Sequence, residues 1–170
     1  MKKDTQVKVL VVGDSGVGKS QLVNVLTSRY KSNQSKWTIG VNIEVAVHVY
    51  HPASDEATYL VELWDISGNQ AHKNSRSVFY RGTLLTSCRE LMHFVDFHAL
   101  ICVHDLTNRK SLSNLMATSE EVLEGDPESG IRNVPILLVG TKQNEVPPSR
   151  RGEVNERAKR MAEGIFNLSV

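Results

Sequence analysis

The sequence predicts an α/β fold, with a mostly parallel central sheet, one antiparallel hairpin strand and helices on both faces. Three observations predict it. Short apolar, β-branched runs alternate with stretches of helical periodicity, the pattern of parallel strands joined by crossover helices. The first such run, Val7 to Val12, leads straight into the glycine-rich stretch Gly13-Asp14-Ser15-Gly16-Val17-Gly18-Lys19-Ser20. One pair of runs, 41–50 and 58–64, flanks His51-Pro52-Ala53-Ser54-Asp55, a turn signal that makes the pair a hairpin.

A chain of 170 residues holds one domain with a sizeable core. Net charge is +1, so nothing draws it generally toward nucleic acid or an acidic surface. Cys88 and Cys102 are too few for a disulfide scaffold and read as reduced thiols, which fits a cytoplasmic location. No apolar run reaches transmembrane length. No signal peptide or prenylation box is readable, so no membrane anchor of its own is expected. The histidines 48, 51, 72, 93, 98 and 104 share no metal-ligand spacing with the cysteines. His104 sits at a strand end and reads as structural. No Ser-His-Asp or Cys-His arrangement is readable.

Taken in order, Val7 to Val12 is strand one, apolar apart from Lys8. Residues 13–20 fit G-x-x-x-x-G-K-[ST], the phosphate-binding loop of the P-loop NTPase fold. Its glycines let backbone N–H groups turn inward toward phosphate. Lys19 can reach the outer phosphates, and the Ser20 hydroxyl can take one position on a magnesium ion. The helix that follows, from about Lys19 to Arg29, places its N-terminal dipole behind the anion. Candidate phosphate-binding residues are thus Asp14, Ser15, Gly16, Val17, Gly18, Lys19, Ser20 and Gln21.

Tyr30 to Lys36 is polar and reads as a loop, closed by Trp37-Thr38-Ile39-Gly40. In 41–50, Val41, Ile43, Val45, Val47 and Val49 share one face. Thr58 to Trp64 is the hairpin partner, and Asp65-Ile66-Ser67-Gly68 leaves it at its C-terminal end. Ala99 to His104 and Ile136 to Val139 are buried-type strands. Ser111 to Leu123 is a helix with Leu112, Leu115, Met116, Val122 and Leu123 as apolar positions, and Arg151 to Phe166 is another. In such a sheet, ligands sit at the strand C-terminal ends, where the loops at 13–20, 65–69 and 140–144 gather.

Thr38-Ile39-Gly40-Val41, Trp64-Asp65-Ile66-Ser67-Gly68 and Phe79-Tyr80-Arg81-Gly82 then narrow the class. They resemble the T-I-G-V, W-D-x-x-G and Y-Y-R-G of small GTPases of the Rab branch, over nearly the whole chain. The resemblance implies a magnesium-dependent GTP/GDP switch with regulatory and effector proteins as partners. Thr38 would complete the magnesium shell formed with Ser20, and Asp65 would hold a magnesium-bound water. The Gly68 N–H would touch the γ-phosphate, a bond that ends when hydrolysis removes that phosphate. Thr38 as a strand-edge hydroxyl and Asp65 as a turn former are the plainer alternatives.

Four departures from the resemblance carry expectations. Asn69 stands where the family has the glutamine that orients the attacking water. With Lys19 and Gly68 it makes the candidate catalytic set, and its shorter stem predicts slow hydrolysis. A solvent-exposed loop amide is the alternative. The base-reading segment N-K-x-D is Thr141-Lys142-Gln143-Asn144. An amide offers guanine one acceptor where a carboxylate offers two, so weakened guanine selection, or a preference for xanthine, is expected. Glu145 supplying the carboxylate one residue late is the other reading. The base-edge aromatic falls near Lys31, with Tyr30 beside it. Residues 83–98 form an insertion in which Leu84, Leu85, Cys88, Leu91, Met92 and Val95 make an apolar helical stripe. A packed helix, a partner surface and translated non-coding sequence all remain open for it. Finally, 166–170 resembles the start of a last strand, so the final helix is expected to be missing, leaving a truncated product or completion by a partner or homodimer.

The sequence therefore predicts a slow GTPase switch. The competing reading is a weakly active or inactive nucleotide-binding scaffold that works through protein–protein contact or dimerisation. A P-loop kinase would need a lid and an acceptor site, and neither is readable.

Overall fold

The computed structural model describes residues 5–28, 37–50, 57–80, 97–123 and 134–166. In chain order these form β1 (Thr5–Val12), α1 (Lys19–Leu26), β2 (Val41–Tyr50), β3 (Ala57–Ile66), α2 (Lys73–Tyr80), β4 (Ala99–Asp105), α3 (Arg109–Leu123), β5 (Ile136–Thr141) and α4 (Pro148–Phe166). The loop at 30–36, the turn at 51–55, nearly all of the insertion and the last four residues lie outside the described residues.

The five strands order as β2-β3-β1-β4-β5. β1 runs parallel to both β3 and β4, and β4 parallel to β5; β2 and β3 form the antiparallel hairpin. Register places Val11 beside Asp65, Val12 beside Cys102 and Asp105 beside Thr141. The C-terminal ends of β1, β3, β4 and β5 therefore share one edge, where a doubly covered sheet opens for a ligand.

Both faces of the inner strands are buried. Leu10, Val12, Leu100 and Cys102 pack with Tyr80 of α2 and Leu115 and Val122 of α3. Val9, Val11, Ile101 and Val103 pack on the opposite side with Val17 and with Val23 of α1. This is why β1 and β4 read as continuous apolar runs rather than alternating ones. Each such side chain contributes about 1.5–3 kcal/mol by leaving water. Burial also pushes the Cys102 thiol up to about 12, leaving it inert. Lys8 interrupts the run without reaching solvent. Its ammonium donates to the Phe79 carbonyl at 3.1 Å and lies 4.0 Å from the Trp64 ring centroid.

Two helices begin earlier than their periodicity suggests. α3 opens at Arg109 because the Asn108 side chain accepts the Lys110 N–H at 3.0 Å as a cap. α4 opens at Pro148, since proline in the first turn has no N–H to lose.

The valine face of β2 is where pattern and packing part. Its residues do share a face, but Ile43, Val45 and Val47 are 44%, 45% and 66% exposed, and the buried residue of the strand is Glu44. β2 is an edge strand, and α3 lies over β4 and β1, two strands further in. Among the described residues no helix is long and apolar enough to cross a membrane, and no cluster of three metal-ligating His, Cys, Asp or Glu occurs.

Candidate nucleotide site

The loop after β1 is held by its backbone. Gly13 has φ +146, and a Cβ there would run into the Val103 carbonyl of β4, so no other residue fits. Gly18, in a left-handed conformation, starts α1. Lys19 is buried, and its Nζ donates to the Gly13 and Asp14 carbonyls at 2.9 and 2.8 Å, bracing the loop across its mouth. Burial lowers its pKa, and the Asp65 and Asp14 carboxylates oppose that shift. The Asp14 carboxylate itself accepts from Asn114 Nδ2 on α3 at 2.8 Å. Val17 faces the core, whereas Ser15, Gly16 and Gln21 face solvent.

Beside Lys19, three oxygen-bearing side chains from three segments meet. The Ser20 hydroxyl donates to Asp65 Oδ2 at 2.5 Å, and the Thr38 hydroxyl does so at 3.2 Å. The two hydroxyls are 3.1 Å apart. Asp65 is fully buried, and its other oxygen, Oδ1, has no hydrogen-bond partner among the described residues. Burial raises the Asp65 pKa, against the Ser20 bond and the Lys19 charge. Hard oxygen donors around an orphaned, buried carboxylate oxygen match what magnesium takes as ligands.

Gly68 closes the other side. A Cβ on it would collide with the backbone of Gly13, Asp14 and Ser15, so this segment lies directly on the phosphate loop. Asn69 follows, and its side-chain carbonyl accepts the Ala71 N–H at 3.0 Å, capping the short 3₁₀ turn at 70–72. The amide oxygen is thereby turned into its own backbone.

At the base end, the Thr141 hydroxyl lies 2.6 Å from the Val17 carbonyl and 2.9 Å from the His104 carbonyl, one proton serving two acceptors. Lys142 adopts a left-handed conformation, and its Nζ pairs with Asp105 Oδ2 at 2.6 Å. Burial raises the Asp105 carboxyl, but the bonds from Lys142 and Thr107 hold it below its ordinary value. Asn144 and Glu145 are neighbours in the exposed turn 143–145. The Asn144 side chain has no hydrogen-bond partner among the described residues. Lys31 and Tyr30 lie outside the described residues.

The phosphate and magnesium candidates thus come together, while the Asn69 amide oxygen is taken by its own backbone and Asn144 sits exposed in the turn after β5. Two contributors had no motif to announce them. Asn114 carries only ordinary helical polarity. Arg76 of α2 is buried, its Nη1 3.5 Å from the Ser67 carbonyl, its Nη2 3.8 Å from Glu121, its Nε without a partner among the described residues.

The signature described as the Ras family matches residues 8–165. Rab-like protein 3 of Xenopus tropicalis is 35% identical over 178 aligned positions, covering 93% of this chain and 70% of the relative. Rab-like protein 3 of Homo sapiens gives the same identity and coverage. The small GTPase-like protein LIP2 of Arabidopsis thaliana is 33% identical over 81% of this chain and 42% of its own length. With its phosphate loop, sheet order and family match over residues 8–165, the chain belongs to the Ras family of small GTPases, as a Rab-like, GTP-binding molecular switch.

Proposed function

We propose that the protein binds magnesium and hydrolyses GTP slowly, with a loosened grip on the base. The observation that carries this is the meeting of Ser20, Thr38 and Asp65 beside the buried Lys19. A magnesium ion held by the two hydroxyls, and through water by Asp65, would neutralise charge building on the outer phosphates. Lys19 exchanges its two carbonyl acceptors for phosphate oxygens. The Gly68 N–H, already against the loop, supplies the γ-phosphate contact.

Slow turnover follows from Asn69. A water-orienting side chain must accept a hydrogen bond from the attacking water, and the Asn69 oxygen is engaged by the Ala71 N–H. Base selection rests on Thr141, Lys142 and Asn144. Guanine offers two donors on one edge, and one is left without an acceptor, a cost of roughly 1–3 kcal/mol. Xanthine, with one donor and one oxo group there, suits the amide. Denaturing the purified protein and identifying the released nucleotide by chromatography tests the reading. Magnesium-dependent GDP or XDP is the expected result, and no nucleotide under magnesium counts against it. Asn144→Asp restoring GDP over XDP assigns the base contact to 144, whereas loss of GDP binding in Glu145→Gln assigns it to 145.

A scaffold role is favoured by one observation, the open apolar face of Ile43, Val45 and Val47 next to exposed Trp37 and Ile39. Sedimentation of wild type against Val47→Glu checks it, with a heavier species absent from the variant.

A further inference from the structure

Away from the phosphate loop, a groove of about 160 Å³ opens between the start of α3 and the start of α4. Its floor is apolar, formed by Leu106, Leu112, Val146 and Val154. Its rim carries three arginines, Arg109, Arg150 and Arg157. Arg109 and Arg157 share a single acceptor, Glu153 Oε1, each at 3.2 Å. The Arg150 side chain has no hydrogen-bond or ion-pair partner among the described residues. Asp105 lines the groove too, but its carboxylate is committed to Lys142. Glu145 on the rim and the shared Glu153 face three arginines, so positive charge exceeds negative around an apolar floor.

We propose that this groove is a docking site for a protein partner that presents an apolar side chain flanked by carboxylates. The apolar side chain fills the floor. The carboxylates take the guanidinium donors that one Glu153 oxygen cannot satisfy, together with the free fork of Arg150. A peptide is favoured over a lipid surface because the floor is concave and holds one side chain, whereas a membrane meets a flat face. The walls give occupancy a consequence. One wall is 104–109, which carries Asp105; the other is 145–150, directly after Lys142 and Asn144. A partner seated here braces both halves of the base-end loop and slows nucleotide release. That second effect rests on the nucleotide-switch reading; docking itself does not.

The test uses the full chain, ¹⁵N-labelled, titrated with acetyl-Glu-Leu-Glu-Leu-Glu-amide and with its Lys-Leu-Lys-Leu-Lys counterpart. Saturable shifts confined to 104–112 and 145–157, for the acidic peptide only, are expected. Arg150→Ala with Arg157→Ala should weaken binding about tenfold, through the loss of two exposed rim pairs. No shift at millimolar peptide, or equal shifts from the basic peptide, overturns the proposal. Tight binding to phosphatidylserine vesicles with no peptide response replaces it by a membrane contact. Release of labelled nucleotide, measured with and without the acidic peptide, is the separate readout. Peptide binding in a protein that holds no nucleotide sinks the switch reading and leaves the groove standing.

Discussion

The Thr141 hydroxyl sits 2.6 Å from the Val17 carbonyl, tying the base-end loop after β5 to the phosphate loop after β1. A single side-chain proton thus joins the two ends of the candidate nucleotide site. Thr141→Val keeps the shape and removes the proton, leaving two carbonyls short of a donor. Stability should fall by about 1–3 kcal/mol and nucleotide release should accelerate. Thr141→Ser should retain both properties. Chemical denaturation and a fluorescent-nucleotide chase check the pair.

Asp65 should separate binding from folding. It is a buried carboxylate with one oxygen unpaired, an arrangement that costs stability unless a cation compensates. Asp65→Asn should leave the melting temperature of the nucleotide-free protein unchanged or higher. The same variant should lose the magnesium-dependent rise seen with GDP. A matching magnesium response in both proteins would remove Asp65 from the metal site.

Gly68→Ala should force the segment off the phosphate loop, because the new methyl would run into the 13–15 backbone. Overpacking of this kind costs about 1–3 kcal/mol. We expect a lower melting temperature and a changed GTP-to-GDP affinity ratio, read by competition binding.

The Asp14–Asn114 bond should show coupling. A double-mutant cycle with Asp14→Ala and Asn114→Ala should return about 0.5–1.5 kcal/mol in stability. Additive losses would mean that the bond carries nothing.

Acid should unfold the protein partly through His104. Burial lowers its pKa below the ordinary 6.5, so the unfolded chain binds a proton that the folded one refuses. Stability from the neutral imidazole is complete above pH 6.5 and is lost as pH falls below it. His104→Gln should flatten the fall in melting temperature between about pH 7 and pH 5.

How much of this could be read beforehand depended on the range of the interaction. Residues 13–20 announce themselves because the chemistry is local, a backbone curl with a lysine and a hydroxyl at fixed offsets. β1 and β4 were legible because burial on both faces leaves an uninterrupted apolar run. For β2, alternation showed that five residues share a face, but not that an edge position leaves it uncovered. Asn69 was legible as a departure from the resemblance, but not as a cap, since the same amide serves either role until the backbone is placed. Asn114 lies 100 residues from Asp14, and nothing local marks a polar helix residue as a partner for the phosphate loop.

The bare outer row of β2 also bears on handling. An outermost ten-residue strand pairs through its backbone on one side only, and its side chains would interdigitate with those of a second copy. Crowding, more than heat, then sets how long a preparation stays clear. A single lysine in place of Val47 should lengthen its shelf life without touching the nucleotide.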